Sequence, residues 1–197
     1  STRWLQRQLN DPYVKQSQAE GRRSRAAYKL IQIDEKFNLL KPNQTILDLG
    51  AAPGSWSEVA MGISNTKVIA IDKLTMDPIS GVEILQLDLS EEKSFQELKS
   101  LFGDKVHLVL SDMASETTGH KSTDHIRTQE LAELAADYAI NFLKIGGSFC
   151  SKVFQGGTHQ TLLELLKKNF DTVKHYKPEA SRKESPENYV IAKGFKG

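Results

Sequence analysis

Three aspartates lie where the chain leaves three successive apolar runs, and their carboxylates could contact a ligand. Asp72, Asp88 and Asp112 end the second, third and fourth runs. If the runs are parallel strands, their ends meet at one edge of a sheet, in the crevice where open α/β sheets bind ligands. Asp72 also follows Asp48 by 24 positions, a spacing typical of a carboxylate that accepts hydrogen bonds from the ribose hydroxyls of an adenosine. This negative charge suits a cationic sulfonium better than a polyphosphate, although each aspartate alone is equally explained as a helix cap or a loop residue.

A glycine-containing loop follows the first of these runs. From Asp48 to Trp56 the sequence is DLGAAPGSW, in which Gly50 and Gly54 allow the backbone to turn sharply and lie against a ligand. The dinucleotide fingerprint G-x-G-x-x-G is absent, because Ala-Ala-Pro separates the glycines and leaves fewer free amides for a pyrophosphate. The loop therefore predicts a nucleotide site and disfavours an NAD-dependent oxidoreductase. A capping box from Ser55 to Glu58 predicts that a helix starts directly after the loop.

Lys152 is a lone charge between Cys150 and Phe154 in an otherwise apolar run. We therefore expect it to have an oppositely charged partner or a functional role. A lysine acts as a base only when it is neutral, and burial or a neighbouring cation must then lower its ordinary pKa of about 10.4. Cys150 is the only cysteine, so we expect a buried core residue and no disulfide within the chain. The five histidines show no metal-ligand spacing, so we expect no metal site.

Alternating strands and helices are needed to position these residues. Runs rich in β-branched residues alternate with amphipathic stretches, which is the pattern of a parallel sheet flanked by helices. Seven strands are predicted, at residues 45–49, 67–71, 83–87, 106–110, 148–153, 172–176 and 189–194. Apolar residues at helical spacing predict helices at residues 26–37, 131–142 and 162–166, and a polar loop is predicted at 115–123.

The 197 residues fall within the usual size of one domain, and we expect a single domain over residues 1–197. Lys and Arg number 26 and Asp and Glu 25, so the overall charge indicates no partner. In residues 1–29, however, seven bases face only Asp11 and Glu20, which predicts a basic amino-terminal arm. No apolar run approaches the roughly 18 residues of a membrane-spanning helix, and no signal segment opens the chain. We expect a cytoplasmic protein without membrane contact, or one of an organellar matrix if a targeting segment has been removed.

Four segments resemble, in order and in spacing, the FtsJ-like ribosomal RNA methyltransferases, the RrmJ or RlmE group. They are DLGAAPG at 48–54, SDMA at 111–114, GGSF at 146–149 and KVFQG at 152–156. The resemblance implies a Rossmann-like class I methyltransferase fold, in which a seven-stranded, mostly parallel sheet has helices on both faces. It also implies S-adenosylmethionine as the cofactor. The residues implied to bind it are Gly50, Gly54, Trp56, Asp72, Asp88 and Asp112. Trp56 taken alone is more often a core residue.

The same resemblance implies a catalytic set of Lys29, Asp112, Lys152 and Glu187. Methyl transfer from a sulfonium to a hydroxyl requires in-line approach and loss of the hydroxyl proton, and Lys152 is the candidate base. Lys29 could be the cation that lowers the pKa of Lys152, whereas Asp112 and Glu187 would stabilise its charged form. Two roles for Lys152 therefore stay open, removal of the proton and orientation of the hydroxyl.

Two basic clusters flank the implied catalytic positions, and we expect them to bind RNA phosphates. The residues assigned to this role are Arg22, Arg23, Arg25, Lys174, Arg182 and Lys183. The resemblance implies a monomer that methylates the ribose 2′-hydroxyl of a uridine in large-subunit (23S-type) ribosomal RNA, within the large ribosomal subunit. The alternatives are methylation of tRNA or another RNA, and a non-catalytic ribosome assembly factor, which predicts a damaged catalytic set. Ser115-Glu116 replaces the family's usual Pro-Asn, so a different loop geometry is expected.

Overall fold

The computed structural model of the chain describes residues 2–114, 119–155 and 160–197. The helices in this part of the chain are α1 (Thr2–Asn10), α2 (Pro12–Ala19), α3 (Ala26–Phe37), α4 (Ser55–Met61), α5 (Glu92–Phe102), α6 (Lys121–Phe142) and α7 (Gln160–Asn169). The strands are β1 (Thr45–Leu49), β2 (Lys67–Asp72), β3 (Val82–Gln86), β4 (Val106–Ser111), β5 (Leu143–Phe154), β6 (Phe170–Tyr176) and β7 (Glu187–Phe195). Two features singled out in the sequence, Ser115-Glu116 and Gly156, lie outside the described residues.

The strands form one sheet in the order β3-β2-β1-β4-β5-β7-β6. The pairs from β3 across to β5 are parallel, and β7 lies antiparallel between β5 and β6. The predicted seven-stranded, mostly parallel sheet is thus confirmed. Because β7 runs in the opposite direction, its first residue lies at the same edge of the sheet as the last residues of β1, β2, β4 and β5.

Apolar side chains cover both faces of the sheet, as the continuous apolar runs of its central strands require. One face packs against α5, α6 and α7 through a cluster that includes Tyr138 and Leu166. The other face packs against α3 and α4 through a cluster that includes Ile33 and Trp56. The predicted helices on both faces are therefore confirmed. Cys150 is buried in the second cluster, and this burial raises the pKa of its thiol, which agrees with the expected core role.

The helix predicted after the glycine loop begins at Ser55, but its capping differs from the prediction. Gly54 is the N-cap, and no side chain forms a capping hydrogen bond, so the predicted capping box is wrong. The Ser55 hydroxyl lies 2.6 Å from the Ser24 hydroxyl instead. This contact ties the start of α4 to the residues just before α3.

Several element boundaries also differ from the sequence predictions, and β5 begins at Leu143, five residues before its predicted start. The loop predicted at 115–123 ends earlier, because α6 begins at Lys121 and carries Asp124 in its first turn, where a negative charge stabilises a helix. The third strand ends at Gln86, so Asp88 lies two residues beyond the strand rather than at its end.

The amino-terminal stretch contains two helices, α1 and α2. Asp11 caps α2 by accepting hydrogen bonds from the amides of Tyr13 and Val14. The same carboxylate lies 2.8 Å from Arg25 Nε and 3.1 Å from Arg182 Nη2. The basic arm predicted at 1–29 therefore comprises two helices and the start of α3, and Asp11 links α2 to Arg25 and Arg182. No helix in the described ranges is long and apolar enough to cross a membrane.

Candidate active site

Four charged side chains meet at the edge of the sheet where β4 and β5 end and β7 begins. They are Lys29 on α3, Asp112 directly after β4, Lys152 on β5 and Glu187 at the start of β7. Lys152 Nζ lies 3.2 Å from Asp112 Oδ1 and 3.4 Å from Glu187 Oε2. Lys29 Nζ lies 2.6 Å from Glu187 Oε1. The structure thus joins the four residues of the implied catalytic set in one chain of ion pairs.

Sheet register and helix packing place these four residues. Lys152 pairs with Tyr189 across the β5 and β7 ladder, and Glu187 pairs with Phe154 two residues further along β5. Lys29 lies one helical turn before Ile33, a core residue of α3, so the packing of that helix turns Lys29 toward the sheet. The position of Glu187 therefore depends on the insertion of β7 beside β5.

The cluster is largely removed from water, since the side chains of Lys29, Lys152 and Glu187 are each 10% exposed. Burial would raise the pKa of Glu187, but Lys152 and Lys29 outweigh burial and hold this pKa at about 2. Burial would lower the pKa of Lys152, but Asp112 and Glu187 outweigh it and raise this pKa above its ordinary value. The idea that Lys29 lowers the pKa of Lys152 is wrong for this arrangement, because Lys29 pairs with Glu187.

Two residues that the sequence reasoning did not assign complete the cluster. The Tyr189 hydroxyl donates a 2.6 Å hydrogen bond to Asp112 Oδ1, the oxygen that Lys152 also contacts. Lys177 Nζ donates to the Glu187 carbonyl at 2.8 Å and to two acceptors in the loop before it, Ser181 Oγ and the Ser185 carbonyl. Tyr189 could have been found in the sequence, since residues two apart on a strand share one face. The contacts of Lys177 required the tertiary structure.

Neighbouring side chains lie close to both glycines of the loop. Gly50 and Gly54 have φ values of 66° and 109°, a region that favours glycine. A Cβ at Gly50 would overlap the Met113 side chain, and one at Gly54 would overlap Met76. Asp72 lies beside this loop, where its Oδ2 accepts a 2.9 Å hydrogen bond from the Ala52 amide. The first of the three predicted strand-end carboxylates, Asp72, is therefore in direct contact with the loop.

Asp48 adds a further carboxyl group behind the loop. Its side chain is buried and accepts a 2.7 Å hydrogen bond from the Ser57 hydroxyl. Burial raises the pKa of Asp48 to about 7, and the negative charges of Asp112 and Asp72 act in the same direction, against the lowering effect of Ser57. Negative charge is thus crowded at this edge, which favours a cationic ligand.

The sequence model of the FtsJ-like methyltransferases matches residues 22–195 of the chain. The chain belongs to this family. Proteins described as "Ribosomal RNA large subunit methyltransferase E" from Sphingopyxis alaskensis and Maricaulis maris are 57% and 54% identical to the whole chain, which covers 86% and 71% of their lengths. A crystal structure described as that of a ribosomal RNA methyltransferase from Plasmodium falciparum has a TM-score of 0.78 and 34% identity, over 89% of this chain and 99% of that chain.

Two residues implied to bind the cofactor in this FtsJ-like methyltransferase lie apart from the central carboxylates. Trp56 is 3% exposed, donates its indole N–H to the Ala26 carbonyl at 2.9 Å and packs against Tyr189. This is the core position that the sequence left open as the alternative. Asp88 lies beyond β3, where its carboxylate accepts hydrogen bonds from the hydroxyl and the amide of Ser90, which lower its pKa.

Four of the six residues expected to bind RNA phosphates are engaged within the molecule. Their partners are Glu20 for Arg22, Asp11 for Arg25 and Arg182, and the carbonyls of Pro53, Asp77 and Pro78 for Arg23. Lys174 and Lys183 are exposed. An arginine whose charge is balanced by a carboxylate adds less to the attraction of a phosphate backbone than an unbalanced lysine does. The exposed basic surface of this FtsJ-like methyltransferase is therefore narrower than the sequence indicates.

Proposed function

We propose that the chain is an S-adenosylmethionine-dependent methyltransferase that modifies the ribose 2′-hydroxyl of a uridine in large-subunit ribosomal RNA. The observation that carries the proposal is the ion-pair chain in which Lys152 lies between Asp112 and Glu187 at the carboxyl edge of the sheet. Family membership supplies the methyl-transfer chemistry, and two relatives that are 57% and 54% identical are described as acting on the large subunit's ribosomal RNA.

The residues beside the glycine loop fit S-adenosylmethionine. Gly50 and Gly54 give the loop its positive φ values, and the carboxylates of Asp72 and Asp112 lie at the same edge of the sheet, where their negative charge favours a cation. A sulfonium carries a positive charge and a polyphosphate does not. The residues that we assign to the cofactor are Gly50, Gly54, Asp72, Asp88 and Asp112, with Trp56 packing from the core side. When bound, the cofactor supplies the methyl group that the ribose oxygen accepts.

The structure supports an orienting role for Lys152. Because neighbouring carboxylates raise its pKa, Lys152 is an ammonium group, which donates hydrogen bonds and accepts no proton. Such a donor can hold the lone pair of the 2′-oxygen in line with the methyl group. The hydroxyl proton must leave as the new bond forms, and the Asp112 carboxylate is an acceptor within the same cluster. Glu187 is a weaker base, because Lys152 and Lys29 hold its pKa at about 2. Lys29 keeps Glu187 in place.

The buried arrangement also bears on the alternative of a non-catalytic assembly factor. Burying four charges costs free energy unless they are paired. A protein that only binds RNA does not require such a buried charged cluster. Here all four are present and paired, which favours an enzyme. A tRNA presents the same ribose 2′-hydroxyl group, so the labelling experiment must distinguish tRNA from large-subunit ribosomal RNA as the substrate.

The test is transfer of a labelled methyl group from S-adenosylmethionine to purified large ribosomal subunits, to naked large-subunit RNA and to tRNA. We expect labelling of large-subunit RNA at one uridine 2′-oxygen, located by its resistance to alkaline cleavage. Lys152→Ala is the matched catalytic control and should bind the cofactor without transferring label. Labelling of tRNA alone would reassign the substrate, and absence of labelling in every RNA would overturn the enzymatic proposal.

A further inference from the structure

A basic groove lies away from the ion-pair cluster, between the end of α3 and the edge strand β6. It encloses a cavity of about 190 Å³. Its lining residues are Lys36, Phe37, Thr172, Lys174, Ile191 and Lys193. The lining contains three lysines, two apolar side chains and one hydroxyl, with no carboxylate.

The groove lies on the same face of the sheet as the catalytic cluster. Glu187, Ile191 and Lys193 are separated by even numbers of residues along β7, so their side chains point to one side of the sheet. Lys193 lies six residues beyond Glu187, which corresponds to about 20 Å along the strand at 3.4 Å per residue. Lys36 likewise follows Lys29 by about two turns of α3. The same helix and strand therefore connect the groove to the site.

The positive charge of the groove is not balanced by nearby acids. Within the described ranges, none of its three lysines forms an ion pair, whereas Arg22, Arg25 and Arg182 all do. Two of the three lysines contact neutral groups: Lys193 Nζ donates to the Phe37 carbonyl at 2.7 Å, and Lys36 Nζ lies 5.2 Å from the centre of the Tyr176 ring. Lys174 is exposed on β6.

We propose that this groove, formed by Lys36, Lys174 and Lys193, binds phosphates of the RNA substrate at a distance from the nucleotide that is methylated. The proposal rests on the proposed function, since it takes RNA as the substrate. Unbalanced lysines attract a phosphate backbone without reading its sequence. A groove about 20 Å from the catalytic cluster lies several nucleotides away from the methylated one along an RNA backbone. Only an RNA that extends this far from the target reaches the groove.

The test compares the wild-type protein with a Lys36→Gln, Lys174→Gln double variant. Lys193 is left unchanged because its bond to the Phe37 carbonyl has a structural role. The matched control is Lys167→Gln, Lys168→Gln, which removes the same charge from an exposed part of α7 on the other face of the sheet. Binding to an RNA of about 30 nucleotides is measured over a range of salt concentrations. Unchanged melting temperature and cofactor affinity show that each variant is folded.

We expect the groove variant to bind the long RNA roughly 10-fold more weakly at 0.1 M salt, with a salt slope lower by about 1.5, since each lost phosphate contact removes about 0.7 to 0.9. A fragment of about five nucleotides around the target, too short to reach the groove, should show no such change.

Several results would overturn the proposal. The salt slope of the groove variant could equal that of the wild type, or the α7 control could lower it by the same amount. Weaker association with intact subunits at unchanged affinity for naked RNA would assign the groove to an acidic protein surface instead. Failure of the wild-type protein to methylate any RNA would refute the proposed function, but the binding comparison needs no turnover and would still decide on the groove.

Discussion

Glu187→Gln tests whether the catalytic cluster is ionised as the structure indicates. The substitution keeps the size of the side chain but removes the carboxylate that joins Lys29 to Lys152. Burial would raise the pKa of Glu187, and the two ammonium groups instead lower it from 4.5 to about 2. At about 1.4 kcal/mol for each pH unit of difference, the ionised carboxylate contributes about 3 kcal/mol to the free energy of unfolding at neutral pH.

The sign of the pH dependence follows from the direction of this change. The folded-state pKa is below the unfolded-state value, so the contribution is fully present above about pH 4.5 and is lost as the pH falls toward 2. Urea denaturation of both proteins gives the free energy of unfolding at pH 7, 4 and 3. The difference between wild type and variant should shrink by about 1 kcal/mol at pH 4 and about 2 kcal/mol at pH 3, relative to pH 7.

An exposed glutamate of the loop before Glu187 provides the control. Glu179→Gln removes the same charge from solvent and should give a difference from wild type that stays within about 0.5 kcal/mol at every pH. If the Glu187→Gln difference were also constant between pH 7 and pH 3, the carboxylate would not be held ionised by Lys29 and Lys152, and the described electrostatics of the site would be refuted.

Three further predictions concern the chemistry, the cofactor site and the amino-terminal helix. Lys152→Ala should lower single-turnover methylation by roughly 100-fold or more at unchanged cofactor affinity, whereas Lys152→Arg, which keeps the cation, should retain more activity. Equal loss in both variants would favour a base or a geometry that only lysine provides. Asp72→Ala should weaken cofactor binding by about 1 to 3 kcal/mol in calorimetry, and unchanged affinity would remove Asp72 from the site. Asp11→Asn should lower the free energy of unfolding by about 1 to 3 kcal/mol, because Arg25 loses its charged partner; an effect equal to that of exposed Asp104→Asn would contradict this role.

Local pattern in the sequence was sufficient for most of the fold. Alternation of apolar runs and helical stripes predicts all seven strands and the helices α3, α6 and α7, because each element must present apolar side chains to the core at its own period. The starts of α6 and β5 were missed by ten and five residues. The sharp turn at the glycines of the loop could also be predicted from the local sequence, since a positive φ at these positions favours glycine. The capping box at Ser55 is the local prediction that failed, because the Ser24 hydroxyl contacts the Ser55 side chain.

The charged partners of the site were decided by the tertiary structure. Glu187 meets Lys152 only because β7 enters the sheet antiparallel beside β5, a long-range pairing that the local pattern of either strand does not specify. In the same way, Asp11 balances Arg25 and Arg182, which in the sequence look like parts of two unpaired basic clusters. By itself, then, the sequence determined the elements and the residue types at the edge of the sheet. Folding decided which charges neutralise one another, because ion pairing depends on distances of a few ångströms between residues far apart along the chain.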